Sequence, residues 1–160
     1  MTPAGGGREA GALRVLVLAD DLIWATRLVG QLRTLGVDPV RLRSADAFTA
    51  ALANAPPAGP PPADPPDGRA FHAVVDLTAR SYDGLAAVRL AAAAGLRVLC
   101  VGQHDDRVQR RAALAAGAER VLAYRKLFED GHATLAAWLG VPAPAAGSLS
   151  APASSEVSAR

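Results

Sequence analysis

The sequence predicts an α/β domain in which a doubly wound parallel sheet carries helices on both faces. Three observations point there. Short apolar runs rich in valine and leucine recur along the chain, and they are mostly continuous rather than alternating, the pattern of strands covered on both faces. Helical spacings of leucine and alanine lie between them. The order is β then α, five times over, and right-handed crossovers turn such an order into a parallel sheet covered on both sides.

The strands come first. Arg14 to Ala19 (RVLVLA), Ala73 to Leu77 (AVVDL), Arg97 to Val101 (RVLCV) and Arg120 to Ala123 (RVLA) are the strong ones. Val40 to Leu42 is a weaker strand, because Pro39 at its start donates no ladder hydrogen bond. The first helix is read from Leu28, Leu32 and Leu35, with Gly36 as its stop. Ser44 caps a short helix carrying Phe48 and Leu52. Leu85, Val88 and Leu90 mark a third, ending near Gly95. Asp105 or Asp106 caps a fourth that runs to Ala116 and closes at Gly117. Leu135, Trp138 and Leu139 form the apolar stripe of a last helix after Asp130.

This places the folded domain at 13–140. Residues 1–12 and 141–160 are read as disordered, the latter because they are rich in Ala, Ser and Pro. The stretch 55–69 holds seven prolines, from Pro56 to Pro66, and is read as a solvated, extended surface insertion.

Composition narrows the function. Hydrophobic residues are 51% of the chain but aromatics only 4%, so the core is built of Ala, Leu and Val. With 17 cationic residues against 15 acids, the net charge of +2 is too weak and dispersed to argue for nucleic acid. The single cysteine, Cys100, lies in an apolar run and excludes an internal disulfide or a paired-cysteine metal motif. No apolar run reaches membrane-spanning length and no signal-peptide pattern opens the chain, so a cytoplasmic location is expected. His72 precedes a strand, His104 and His132 lie elsewhere, and nothing gathers the three into a metal site. No GxGxxG, Walker loop or GxSxG occurs.

In open α/β sheets, ligands bind outside the carboxyl ends of the strands. The first strand ends in Asp20 and Asp21, the third in Asp76, the fourth in Gly102, Gln103 and His104, and the fifth in Tyr124, Arg125 and Lys126. Three carboxylates at one edge repel one another unless a cation sits among them. An all-oxygen set favours magnesium, and one carboxylate can then act as nucleophile toward a phosphoryl donor. Against this, Asp20 or Asp21 alone also reads as the cap of the following helix. Asp76, inside Val74-Val75-Asp76-Leu77, is costly to bury without a partner, which favours a functional role.

These residues resemble the receiver domain of two-component response regulators, over Arg14 to Gly140. Asp76 followed by Asp83-Gly84, the stretch from Gly102 to Ala118 (GQHDDRVQRRAALAAGA), and Asp20-Asp21 after an apolar strand carry the likeness. The resemblance implies a five-stranded flavodoxin-like sheet in the order 2-1-3-4-5. It implies Asp76 as phosphoacceptor and Asp20, Asp21 and Asp76 as magnesium ligands. Counting back from Gly36 can instead put the family's acid pair at Ala19-Asp20, leaving one acid.

Departures from the family pattern mark the chain as atypical. The family carries Thr or Ser where Gly102 stands, a hydroxyl that binds the phosphoryl group. Its lysine falls at Tyr124, and the chain's only lysine, Lys126, lies two residues on. The family's proline after the acceptor is replaced by Arg80. If the fifth strand continues, Lys126 shares a direction with Tyr124 and is a displaced candidate lysine; the other reading makes it a solvated residue.

The expected function is a stand-alone receiver-like module of a phosphorelay. It would act by protein–protein interaction, with magnesium-dependent phosphoryl acceptance at Asp76, and would not be an enzyme in its own right. Its partners would be a histidine kinase or another signalling protein, or a second copy. They would meet the face of the fourth helix, fifth strand and fifth helix, decorated by Arg107, Arg110 and Arg111. The alternative is a flavodoxin-like small-molecule or cofactor-binding domain. Negative charge after the first strand, where a glycine-rich phosphate loop would be needed, counts against it.

Overall fold

A computed structural model describes residues 13–54 and 70–144. The expectations for 1–12, 55–69 and most of 141–160 lie outside the described residues. The chain alternates β1 (Arg14–Leu18), α1 (Leu22–Thr34), β2 (Asp38–Leu42), α2 (Ala45–Leu52), β3 (Ala70–Asp76), α3 (Gly84–Ala93), β4 (Arg97–Gly102), α4 (Arg107–Ala116), β5 (Arg120–Ala123) and α5 (Tyr124–Leu139). The five strands form one parallel sheet in the order β2-β1-β3-β4-β5.

The continuous apolar runs are explained by the two layers they serve. Successive strand side chains point to opposite faces. Leu16, Leu18, Val75, Val98 and Cys100 pack toward Phe48, Val88 and Ala113 of α2, α3 and α4. Val15, Val17, Val74, Leu99 and Val101 pack toward Leu28 and Leu32 of α1 and Leu135 and Trp138 of α5. Polar residues on either face of these strands would be buried, so the strands cannot alternate. Pro39 lies in β2, at the sheet edge, where a missing donor costs least.

Helix ends follow local chemistry. Asp21, Ser44, Asp83 and Asp106 cap α1, α2, α3 and α4 through side chains that accept from the backbone N–H three residues on. Gly117 ends α4 at φ 115, and a Cβ there would also meet Ala92 Cβ at 2.5 Å, so both backbone and packing require glycine.

Two sequence expectations are corrected and one alternative is decided. The fifth strand ends at Ala123, as its apolar run predicts, and the continuation that would give Lys126 the direction of Tyr124 is not realised: Tyr124, Arg125 and Lys126 form the first turn of α5. The last helix accordingly begins before Asp130, not after it. Asp130 (φ −129, ψ 28) is a non-helical break inside α5. Gln31 of α1 caps that break by donating from Nε2 to the Leu127 carbonyl at 2.9 Å. His72 does not precede a strand but lies within β3, which starts three residues earlier than its apolar core suggested. It is buried, edge-on to Trp138 at 5.0 Å, with Arg97 at 3.3 Å from Nε2. Because Arg97 only donates, Nε2 accepts and the proton sits on Nδ1. Burial, helped by the Arg97 charge, lowers the His72 pKa to about 4.

Candidate functional site

The strand register brings the carboxyl ends of β1, β3, β4 and β5 to one edge of the sheet. Leu18 pairs with Val75, Asp76 with Val101, and Gly102 with Ala123. Asp20, Asp76, Gly102 and Tyr124 therefore emerge together, because each ends a strand of the same sheet or follows one within two residues.

Asp76 is the centre of this edge and is 1% exposed. Its Oδ1 accepts from the Thr78 backbone N–H at 2.9 Å and the Thr78 hydroxyl at 2.8 Å. The Tyr124 hydroxyl donates to the same oxygen. Thr78 Oγ1 and Tyr124 Oη lie 2.5 Å apart, so one carboxylate oxygen and two hydroxyls form a closed cluster. Oδ2 is buried and bonds nothing among the described residues. Neutral donors on one oxygen thus hold this carboxylate, and no cationic side chain bonds it among the described residues.

Two tyrosines wall the site. The Tyr82 hydroxyl donates to the Leu18 carbonyl at 2.9 Å and is shared with the Asp76 carbonyl at 3.0 Å, tying the ends of β1 and β3. Tyr124 packs edge-on against Trp24, centroids 5.2 Å apart. Burial is the main reason both phenols titrate well above their ordinary range. The charge of Asp76 adds to it at Tyr82, and the hydrogen bond to Asp76 adds to it at Tyr124. Both therefore stay neutral donors.

The three candidate metal ligands are not brought together as a set. Asp21 is committed to the cap of α1, where Oδ1 accepts from Trp24 N–H at 2.9 Å. Asp20 turns to the acceptor loop, and its Oδ2 accepts from Arg80 N–H at 3.0 Å and Ser81 N–H at 3.2 Å. Partial burial opposes ionisation of Asp20, but these hydrogen bonds outweigh it and lower its pKa. Among the described residues no group of three His, Cys, Asp or Glu side chains is placed to hold a metal ion. Ala19 is fully buried, and of the two acids that follow β1 Asp20 is the one that bonds the acceptor loop.

Lys126 stands outside the cluster. Its Nζ donates to Asp130 Oδ2 at 2.7 Å, one helical turn on, in an exposed pair. Helical spacing, not strand spacing, separates it from Tyr124. Gly102 ends β4, and the volume beside it is taken by Gln109 of α4: a Cβ on Gly102 would meet Gln109 Oε1 at 3.3 Å.

Thr78, Tyr82 and Gln109 are site residues that sequence reading missed. A local signal existed for Thr78, because an Asp followed two residues later by a donor is a common Asx turn. For Tyr82 and Gln109 the contacts span 64 and 32 residues, and no spacing rule announces them.

No family model and no curated protein matches the chain. Solved structures do. A response regulator receiver protein from Burkholderia phymatum is 28% identical with a TM-score of 0.64, over 82% of this chain and 98% of that one. A two-component response regulator from Clostridium difficile is 12% identical with a TM-score of 0.64, over 80% and 96% of the two chains. A response regulator protein from Burkholderia pseudomallei, crystallised with a phosphorylated aspartic acid, a calcium ion and citrate, is 20% identical with a TM-score of 0.61. That match covers 78% of this chain and 65% of the other. In topology and in sequence this chain is similar to response-regulator receiver domains, and the fold it carries is theirs.

Proposed function

We propose that this chain is an atypical receiver module of phosphorelay signalling in the cytoplasm, acting by protein–protein contact, with Asp76 its phosphoacceptor. The observation that carries this is the state of Asp76: a buried carboxylate at the end of β3 with one oxygen clamped by Thr78 and Tyr124 and the other unpartnered. Burying an unpaired carboxylate oxygen is costly and has no structural benefit visible around it. As acceptor, Oδ2 attacks the phosphorus of a donor. The bond from phosphorus to the donor's nitrogen or oxygen breaks, the leaving group keeps that electron pair, and an acyl phosphate results. The domain is then the substrate of the transfer rather than an enzyme with another substrate.

A divalent cation would supply charge neutralisation for that step. The carboxylates of Asp20 and Asp76, at the ends of neighbouring strands, suit a magnesium ion that keeps most of its waters and leaves Oδ2 free to attack. With Asp21 held as a cap, such a site is weak. Partners, whether a histidine kinase, another signalling protein or a second copy, meet the α4–β5–α5 face. Arg107, Arg110 and Arg111 are exposed there beside Val108, which is 81% exposed. Gly102 offers no hydroxyl to bind a phosphoryl group, so this contact is nearly independent of phosphorylation and affinity for a partner survives Asp76→Ala. A loss of about tenfold or more, about 1.4 kcal/mol, would show a working switch instead.

Incubation with magnesium and a small phosphodonor, followed by intact-mass measurement, tests the acceptor. A phosphoryl adduct on the wild type that is missing from Asp76→Asn supports the reading. Equal labelling of the two proteins overturns it at this residue, and no labelling of either overturns phosphoryl acceptance altogether.

A further inference from the structure

Helix α4 is weakly anchored by its own sequence. Its face toward the sheet is built of alanines, and Ala113 is its one fully buried residue. Burial of so little apolar area stabilises a helix only slightly. A polar contact compensates. Gln109 reaches from the first turn of α4 to the end of β3, where its Nε2 donates to the Leu77 carbonyl at 3.0 Å. Leu77 is itself fixed, donating its N–H to the Val101 carbonyl of β4 at 2.8 Å. The backbone N–H of Gln109 meanwhile donates to the capping Asp106 at 2.8 Å. One residue therefore joins the cap of α4 to the backbone next to Asp76.

Gln109 can do this because position 102 carries no side chain. A Cβ there would lie 3.3 Å from Gln109 Oε1, which would have to give by a few tenths of an ångström, and in ordinary contact with Leu77 Cβ at 3.8 Å. The amide and a side chain at 102 compete for the same volume. We propose that Gln109 is a positioning residue, a fixed tether that occupies the volume left by Gly102 and holds α4 and its exposed Arg107–Arg111 face in one arrangement. The consequence for partner binding rests on the receiver reading above. The tether itself is a property of the metal-free, unmodified domain.

Hydrogen exchange of the α4 amides tests it, in the wild type, Gln109→Ala and Gln109→Glu. Glutamate keeps the shape but, when ionised, has no donor for the Leu77 carbonyl. Both variants are expected to exchange the α4 amides about tenfold faster or more, with β3 and β4 amides unchanged. Gly102→Ser is expected to loosen α4 by displacing the amide. Combined with Gln109→Ala it should cost no more than Gln109→Ala alone, because the two act on one contact. Adding magnesium and fluoroberyllate should leave wild-type α4 exchange unchanged, with adduct formation followed separately by fluorine NMR. Exchange of α4 within about twofold of wild type in both Gln109 variants overturns the tether. A comparable change of wild-type α4 on forming the adduct overturns its fixity. Absence of any adduct counts against phosphoryl acceptance at Asp76 and leaves the tether to be judged on the metal-free exchange.

Discussion

The Tyr124 hydroxyl donates to Oδ1 of Asp76, joining the first residue of α5 to the last residue of β3 across the functional edge of the sheet. The phenol is neutral and stays so, since burial and this bond both raise its pKa. A neutral donor stabilises a buried carboxylate without cancelling its charge. That one contact organises what the site can do.

Tyr124→Phe removes the donor and leaves the ring against Trp24. The loss should be about 1.5–3 kcal/mol in urea unfolding at neutral pH, the range for a hydrogen bond to a charged group. Thr78 still holds Oδ1, so the protein should remain folded. A change below about 0.5 kcal/mol would show that the hydroxyl contributes nothing to stability.

Magnesium should stabilise the domain weakly, by mass action on the folded state. At a concentration ten times its Kd the gain is about 1.4 kcal/mol. Asp76→Asn should reduce this gain, as should Asp20→Asn, whereas Asp21→Asn should lower stability with and without the metal because it weakens the α1 cap. Thermal melts across a magnesium series decide it. Equal gains in wild type and Asp76→Asn would mean that Asp76 is no ligand.

Lys126→Ala should not alter the phosphodonor response or its magnesium dependence. The Lys126 ammonium is engaged with Asp130 on the exposed side of α5, away from the Asp76 cluster. Labelling rates measured by intact mass should match the wild type. Abolished labelling in this variant would assign Lys126 to the site after all.

Stability should fall as the solution is acidified through the range set by His72. Its folded pKa, about 4, lies below the unfolded value near 6.5, so the unfolded chain takes up the proton first. The contribution of neutral His72 is complete above the unfolded pKa and is lost as pH falls toward the folded one. From pH 7 to pH 5 the loss is about 2 kcal/mol. His72→Leu should flatten the urea-derived profile over that interval. An unchanged slope would show that another group carries the acid sensitivity.

Gly131 and Gln31 form a pair in which one residue leaves room for the other. A Cβ at position 131 would lie 2.3 Å from Gln31 Nε2, and Gln31 would have to release the Leu127 carbonyl. Gly131→Ala should therefore be unfavourable in the wild type. In a Gln31→Ala background it should become neutral or gain up to about 1 kcal/mol from helix propensity. A double-mutant cycle by urea unfolding measures the coupling, and additive effects would contradict it.

Much of this protein is determined by local rules that a linear reading can apply. Strands buried on both faces leave continuous apolar runs, so four of the five were plain, and β2 was faint because it is an edge strand with Pro39 in it. Caps and stops are local chemistry too: Ser44, Gly36 and Gly117 act where the sequence placed them, and Asp106 resolves the choice left open with Asp105. The order of elements then implied the sheet topology, since handed crossovers leave few alternatives. Asp76 was legible as the central site residue because a carboxylate inside an apolar strand needs a reason.

Tertiary structure alone decided how the residues at that edge are used. Asp20 and Asp21 are neighbours in sequence, yet one turns to the loop at Arg80 and the other is consumed by a helix cap, a division set by where α1 begins. RVLA marks the end of β5 at Ala123, but the immediate start of α5 at Tyr124 could not be read from YRK, because the Trp24 surface that receives Tyr124 comes from a distant segment. Ending the strand at Ala123 puts Tyr124 over Asp76 and sends Lys126 to the outside, so a shift in one element boundary changes the chemistry of the site. Gln109 in the space beside Gly102 is likewise a matter of packing between α4 and β4. Sequence spacing reports periodicity within an element, whereas these assignments depend on which elements meet.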